Sequence, residues 1–129
     1  MEFVAIVTVL ALLQYILFAI LVGKARGQYG VAAPAIAGHP VFERYFRVQM
    51  NTLELLAALV PGLWLFAHYV SASWAAVLGA VYLVGRFLYF RSYVTDPAKR
   101  GAGFGLRFLP IMVLLVGGLV GAVLALLHR

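Results

Sequence analysis

The chain has 129 residues, of which 65% are hydrophobic and 11% are charged, and its mean hydropathy is +1.03. This length allows one domain, residues 1–129, and leaves no room for a separate soluble one. The formal net charge is +6, but the Lys and Arg residues cluster between apolar segments, which argues against a nucleic-acid partner. The absence of cysteine excludes disulfides, thiolate metal sites and a cysteine nucleophile.

Four long apolar segments predict transmembrane helices. They cover about residues 3–26, 42–69, 74–95 and 106–127, and a helix needs about 20 residues to cross roughly 30 Å of hydrocarbon. The first segment starts with Glu2 instead of a basic residue and is too long for a cleaved signal peptide, so we interpret it as a retained anchor. The predicted fold class is an all-α integral membrane protein, a bundle of four transmembrane helices.

Proline and glycine residues predict where these helices end, bend or approach each other. Residues 28–40 contain two prolines and two glycines, a composition typical of a loop, and residues 99–105 predict a second, basic loop. Pro61 lies in the middle of the second helix and predicts a bend there. Pro97 predicts the end of the third helix, because the residue before a proline disfavours helical geometry.

Small residues on the fourth helix predict a close helix–helix contact. Gly117 and Gly121 are four residues apart, which is the spacing that lets two helix backbones approach closely.

The charge distribution predicts which loops are cytoplasmic. With four spans, residues 23–47 and 91–107 lie on the same side of the membrane and contain most of the Lys and Arg, whereas the other side has only Arg129. The positive-inside rule then places both long loops in the cytoplasm. The short loops and the absence of cysteine favour a bacterial inner membrane over the endoplasmic reticulum.

Polar side chains interrupt the second and third helices at helical spacing. The second helix carries Arg44, Arg47, Asn51 and Glu54, and the third carries Tyr82, Arg86, Tyr89 and Tyr93. Residues three or four apart share one face of a helix. We therefore expect two polar stripes that face each other near the cytoplasmic end of the membrane.

The composition of these stripes fits a small zwitterionic ligand such as the tripeptide glutathione, which carries two carboxylates, one ammonium group and a thiol. Guanidinium groups bind carboxylates through paired hydrogen bonds, and Glu54 can pair with an ammonium group. Alternatively, these side chains only anchor helix ends or form internal ion pairs. Against that, Arg86 and Glu54 lie well inside apolar stretches, where a charge costs roughly 2.5 to 3.5 kcal/mol and usually serves a function.

Other candidate sites are weaker. No metal site is expected, because His39, His68 and His128 are far apart and fall on loops or at a terminus. No serine or threonine has a histidine and an acid in the spacing of a nucleophile triad.

Two segments resemble the MAPEG family, the membrane-associated proteins in eicosanoid and glutathione metabolism. Residues 42–54 have the long and specific pattern F-E-R-x-x-R-x-Q-x-N-x-x-E, and residues 81–93, VYLVGRFLYFRSY, are similar to the third helix of transferases in this family. The first and last helices match mainly in hydropathy.

The resemblance implies a homotrimer of four-helix subunits that binds glutathione, as co-substrate, between neighbouring subunits. It implies a glutathione transferase that acts on lipophilic electrophiles arriving from the bilayer. Arg100 falls at the position of the arginine that stabilises the glutathione thiolate, so it is the expected catalytic residue. The expected glutathione-binding residues are Arg47, Asn51, Glu54, Arg86, Tyr89 and Tyr93 from one subunit, with Arg26 and Gln49 from the adjoining one.

This chain has Leu55 after the glutamate, at a position where a transferase of the family has a tyrosine. It also departs from the family around residues 101–106, so the identity of the second substrate stays open. Peroxidase activity toward lipid hydroperoxides is an alternative reaction for the same site. A non-enzymatic lipid-binding member of the family is a second alternative. A proton-coupled exporter that uses Glu54 is a third, although the surrounding arginines would repel cationic substrates.

Overall fold

A computed structural model describes residues 1–95 and 101–129, and the side chains of residues 1–94 and 108–129. The described residues form four helices: α1 (Glu2–Tyr29), α2 (Pro40–Tyr69), α3 (Ala72–Thr95) and α4 (Gly101–Leu127). Each contains a segment long and apolar enough to cross a membrane. The predicted fold class, an all-α membrane protein with four transmembrane helices, is confirmed.

The loop between α1 and α2 is shorter than expected because local caps extend both helices. Gly30 adopts the left-handed conformation, with φ 69°, and its N–H bonds to the carbonyl of Arg26; glycine takes this conformation without steric cost. Pro40 opens α2, where its missing N–H is not needed. His39 caps the same end, since its Nδ1 accepts from the backbone N–H of Val41 at 3.2 Å.

A two-residue turn reverses the chain between α2 and α3. Only Val70 and Ser71 separate the two helices, and Ser71 Oγ accepts from the backbone N–H of Trp74 at 3.2 Å. A hydroxyl in this position satisfies one of the free N–H groups at a helix start. The short turn forces α3 to run back beside α2.

The fourth helix starts earlier than the sequence predicted. The expected loop over residues 99–105 is wrong in part, because α4 already begins at Gly101. Glycine costs a helix about 1 kcal/mol per residue, but a backbone close to hydrocarbon must satisfy its polar groups internally, and a helix does this. α2 is continuous through Pro61, and the bend expected there stays a prediction.

The two central helices, α2 and α3, each pack against all the others. The main apolar core joins residues of all four helices, including Val7, Leu59, Leu63, Tyr82 and Leu114. Many large apolar side chains of α1 and α4 point outward, as expected for surfaces that face lipid. This arrangement leaves α2 and α3 to carry the polar groups.

The contact between α2 and α4 depends on two glycines, as their spacing predicted. A Cβ atom on Gly121 would lie 2.8 Å from the carbonyl oxygen of Tyr69, and one on Gly117 would lie 2.5 Å from Cε2 of Phe66. Both distances are too short for a real Cβ contact. The expected close approach is therefore confirmed.

Gly121→Ala should lower the thermal stability of the protein in detergent, because the new methyl meets backbone that cannot move aside. Overpacking of this kind costs about 1 to 3 kcal/mol. The matched control is Gly118→Ala on the same helix, where a Cβ would lie 3.5 Å from Cβ of Leu65, an ordinary contact. Equal melting temperatures for the two variants would contradict the close approach at Gly121.

Candidate active site

The two polar stripes meet inside the bundle. Nη1 of Arg86 on α3 donates a hydrogen bond to Oδ1 of Asn51 on α2, with a distance of 3.1 Å. The sequence predicted that these stripes would face each other, and this contact confirms it for Asn51 and Arg86, whereas Arg47 and Glu54 of the same α2 stripe are exposed. It also places Asn51 and Arg86 at the same level of the bundle.

Arg86 lies entirely within the protein, with 0% of its surface exposed. Its Nη2 donates to Oγ1 of Thr52 at 2.6 Å and to the carbonyl of Val48 at 3.3 Å. Its Cζ lies 4.7 Å from the centre of the Tyr89 ring, a distance at which a cation is attracted to an aromatic face. One guanidinium therefore holds α3 against a full turn of α2.

Thr52 is a member of this site that the sequence analysis missed. Its side chain is completely buried, and its hydroxyl donates to the carbonyl of Val48 at 2.7 Å while it accepts from Arg86. A hydroxyl has one donor and two acceptor sites, so both contacts are compatible. The sequence did carry a signal for it: Thr52 is a polar residue next to Asn51, and it lies four residues after Val48, on the same face of α2.

An ion pair lies on the open side of α2. Nη1 of Arg47 is 3.9 Å from Oε1 of Glu54, and their side chains are 58% and 60% exposed in the subunit. Both residues belong to a helix that is long and apolar enough to span a membrane. Lipid is a poor environment for such charges, so this face is suited to contact with water, a polar ligand or another protein surface.

Two tyrosines of α3 form the neighbouring wall. The rings of Tyr89 and Tyr93 stack with their centres 5.5 Å apart and an angle of 17° between their planes. Tyr89 is buried against Phe18 and Val48, whereas Tyr93 is half-buried. Tyr93 is therefore the more accessible of the two predicted ligand-binding phenols.

Arg26 and Arg44 hold the loop end of the bundle together. Nη1 of Arg26 donates to the carbonyl of Ala35 at 2.6 Å, and its guanidinium lies 4.8 Å from the centre of the Phe42 ring. Nη1 of Arg44 donates to the carbonyl of Val94 at 3.1 Å, near the end of α3, where a positive charge is favourable. The start of α2 therefore lies beside the end of α3.

Among the described side chains, Gln49 is the remaining predicted residue, and it is not part of this cluster. Gln49 is partly exposed and lies on a different side of α2 from Asn51, because residues two apart do not share a helix face. Arg100 lies outside the described residues. Direct contact between glutathione and any of the predicted residues, Arg86 included, stays a prediction.

Residues 4–120 match the MAPEG family. The chain belongs to this family. The match includes α2 and α3 and most of α1 and α4, so the resemblance noted in two segments extends over nearly the whole chain, and the chain is an integral membrane protein of the MAPEG type.

Three relatives illustrate its place among MAPEG proteins. The chain is 51% identical over 116 residues to an uncharacterized protein of Synechocystis sp., an alignment that covers 90% of this chain and 85% of the relative. It is 40% identical over 117 residues to microsomal glutathione S-transferase 2 of Homo sapiens, covering 91% and 80%. It is 34% identical over 96 residues to leukotriene C4 synthase of Bos taurus, covering 74% and 64%.

Thr52→Val should destabilise this MAPEG protein, because the variant keeps the side-chain volume but removes the oxygen that accepts from Arg86. Hydrogen bonds to charged groups are worth about 1.5 to 3 kcal/mol. Thr8→Val is the matched control: Thr8 also donates to the carbonyl four residues back, at 2.7 Å, but its oxygen accepts from the neutral Nε1 of Trp64. Thermal unfolding in detergent should show a larger loss for Thr52→Val, and an equal loss would contradict the role of Arg86.

Proposed function

We propose that this MAPEG protein is a membrane-bound glutathione transferase that joins the glutathione thiolate to lipophilic electrophiles. The observation that carries the proposal is the exposed pair of Arg47 and Glu54, 3.9 Å apart, within a membrane-spanning helix. The relationship to a microsomal glutathione S-transferase supports it.

The exposed ion pair of Arg47 and Glu54 has the charges needed to bind glutathione. Arg47 can donate two parallel hydrogen bonds to a carboxylate, and Glu54 can accept from the ammonium group. Asn51 lies between them in the sequence, and Tyr93 adds a phenol from α3. An exporter of cationic substrates is a poorer fit, because the guanidinium of Arg47 already lies beside the only carboxylate of this stripe.

A homotrimer would protect these charges from lipid. In a single subunit the side chains of Arg47 and Glu54 are more than half exposed, and exposed charges within a membrane span are costly. An adjoining subunit that brings Arg26 and Gln49 to this face would close the site around the tripeptide. We propose that glutathione binds between subunits in this way.

Catalysis would depend on the ionised thiol. A free thiol has a pKa of about 8.5, and its thiolate is the nucleophile. Lowering that pKa to about 6 takes roughly 3.4 kcal/mol, and one guanidinium about 4 Å from sulfur, at an effective dielectric of about 20, supplies roughly 4 kcal/mol. We assign this role to Arg100: the thiol proton passes to water, sulfur bonds to the electrophilic carbon, and the leaving group takes the displaced electron pair.

The proposed host is a bacterial inner membrane, with the two long loops in the cytoplasm. The positive charges of these loops support the orientation, and similarity to a protein of Synechocystis supports a bacterial membrane. Cytoplasmic loops would open the site toward the compartment that supplies glutathione, while the electrophile enters from the bilayer.

Arg100→Ala should reduce formation of the thiolate. The ultraviolet difference absorbance on glutathione addition should fall, and conjugation of chlorodinitrobenzene should slow by at least about tenfold near neutral pH, because the thiolate fraction falls. Lys99→Ala removes the neighbouring positive charge and serves as the control. Unchanged absorbance and rate in Arg100→Ala would remove Arg100 from this role.

Glu54→Gln should weaken glutathione binding by about tenfold, because the neutral amide can still accept from the ammonium group but the charge-assisted part of that hydrogen bond is lost. The glutathione KM should rise, and the variant should discriminate less against glutathione that lacks its amino group. Glu43→Gln is the matched control, since this carboxylate of the same helix lies at the loop, 3.4 Å from the backbone N of Gly38. Failure of the wild type to bind glutathione would favour the lipid-binding alternative.

A further inference from the structure

We propose that the outward-facing groove between α1 and α3 binds an anionic phospholipid of the membrane. One acyl chain lies along the apolar part of the groove, and the phosphate lies between Lys24 and Arg91, at the end of the bundle that carries the loop between α1 and α2. This lipid site is separate from the proposed glutathione site and does not depend on the proposed reaction.

The apolar part of the groove lies between two helices that run in the same direction. Gln14 contacts Leu83, and one turn further along both helices the rings of Phe18 and Phe87 lie 6.0 Å apart. Toward the other end of the helices, an open groove of about 280 Å³ follows these contacts. The groove is lined by Leu10, Leu13, Gln14, Leu17, Leu83 and Phe87.

The groove is closed at its floor and open toward the bilayer. Gln14 is 4% exposed, and its Nε2 donates to the carbonyl of Leu83 at 3.0 Å, so this bond holds the two helices together at the floor. The walls include Leu13 and Leu17, which are 56% and 40% exposed. An acyl chain can therefore enter sideways from the bilayer without unpacking the bundle.

Two positive side chains continue the groove toward the membrane surface. Lys24 lies seven residues, or about two turns, after Leu17 on α1. Arg91 lies about one turn after Phe87 on α3, and both cations are exposed. Because Phe18 and Phe87 lie at one level, Arg91 is only about 3 Å below Lys24 along the bundle.

The length of the groove matches one leaflet of a membrane. Leu10 and Lys24 are fourteen positions apart on α1, which corresponds to about 21 Å along a helix. Half of a bilayer with its headgroups is about 20 to 22 Å thick. The groove therefore extends from the headgroup level to the middle of the bilayer, which is the path of one acyl chain of a phospholipid.

The two cations favour a headgroup with a net negative charge. Among the described side chains Lys24 forms no ion pair. The guanidinium of Arg91 has five N–H donors, so it can bind a phosphate oxygen in addition to a contact within the protein. Basic pockets between transmembrane helices bind anionic headgroups, and each cation near the surface strengthens binding about fivefold. A zwitterionic headgroup gains much less, because its own cation is repelled.

Lipids that differ only in the headgroup test this preference. Delipidated protein in detergent is titrated with phosphatidylglycerol or with phosphatidylcholine of the same chain length, and the bound lipids are counted by native mass spectrometry. Phosphatidylglycerol should bind at least about tenfold more tightly, and Lys24→Gln and Arg91→Gln should each weaken its binding about fivefold. Equal affinities of the wild type for the two lipids would overturn the inference.

Arg129→Gln is the control for net charge, because it also removes one exposed positive charge but lies at the opposite end of the bundle. It should leave the phosphatidylglycerol affinity within about twofold of wild type, since that distance exceeds the Debye length. A loss equal to that of Lys24→Gln would overturn the site, because total charge alone would then attract the lipid.

Leu13→Trp tests whether an acyl chain occupies the groove. The larger ring takes up the path of the chain while both cations stay, so the phosphatidylglycerol affinity should fall about fivefold or more. Leu12→Trp is the matched control, since Leu12 is 46% exposed on the same helix but does not line the groove. Thermal unfolding in detergent should be the same for both variants. An unchanged affinity in Leu13→Trp, or an equal loss in Leu12→Trp, would overturn the inference.

Discussion

The hydrogen bonds of the buried Arg86 guanidinium are the interaction on which the rest of the site depends. A charge within a membrane span costs several kcal/mol unless polar groups surround it, and here Asn51, Thr52 and the carbonyl of Val48 accept its hydrogen bonds. All three acceptors lie within two turns of α2. The guanidinium therefore fixes both the depth and the rotation of α3 relative to α2, and these determine where every other polar group lies.

The remaining polar residues divide between the interior of the bundle and its open face. Arg44 bonds to the end of α3 and Arg26 to the loop carbonyl of Ala35, so both stabilise the loop end. Arg47 and Glu54 instead lie on the outside of α2, more than half exposed. Arginines that look equivalent in the sequence thus have different surroundings: Arg86 is buried, Arg26 and Arg44 are partly buried, and Arg47 is exposed.

Much of the fold could be predicted because the bilayer restricts the possible structures. Four apolar segments of sufficient length specify four helices, and the turn at Ser71 and the left-handed Gly30 mark their ends. The start of α4 at Gly101 was missed, since the glycines and basic residues there are typical of loops. Local propensity is a weak guide where internal hydrogen bonding of the backbone decides the structure.

The sequence by itself determined the four spans, the family and the two polar stripes, because hydrophobicity and helical spacing are properties of residues close together in the chain. Only the tertiary structure decided that Arg86 is buried, that Thr52 belongs to the same network, and that Arg47 pairs with Glu54 on the outside. These facts depend on the rotation of each helix about its axis. That rotation is set by packing between residues more than 30 positions apart, such as Asn51 and Arg86, which no local pattern specifies.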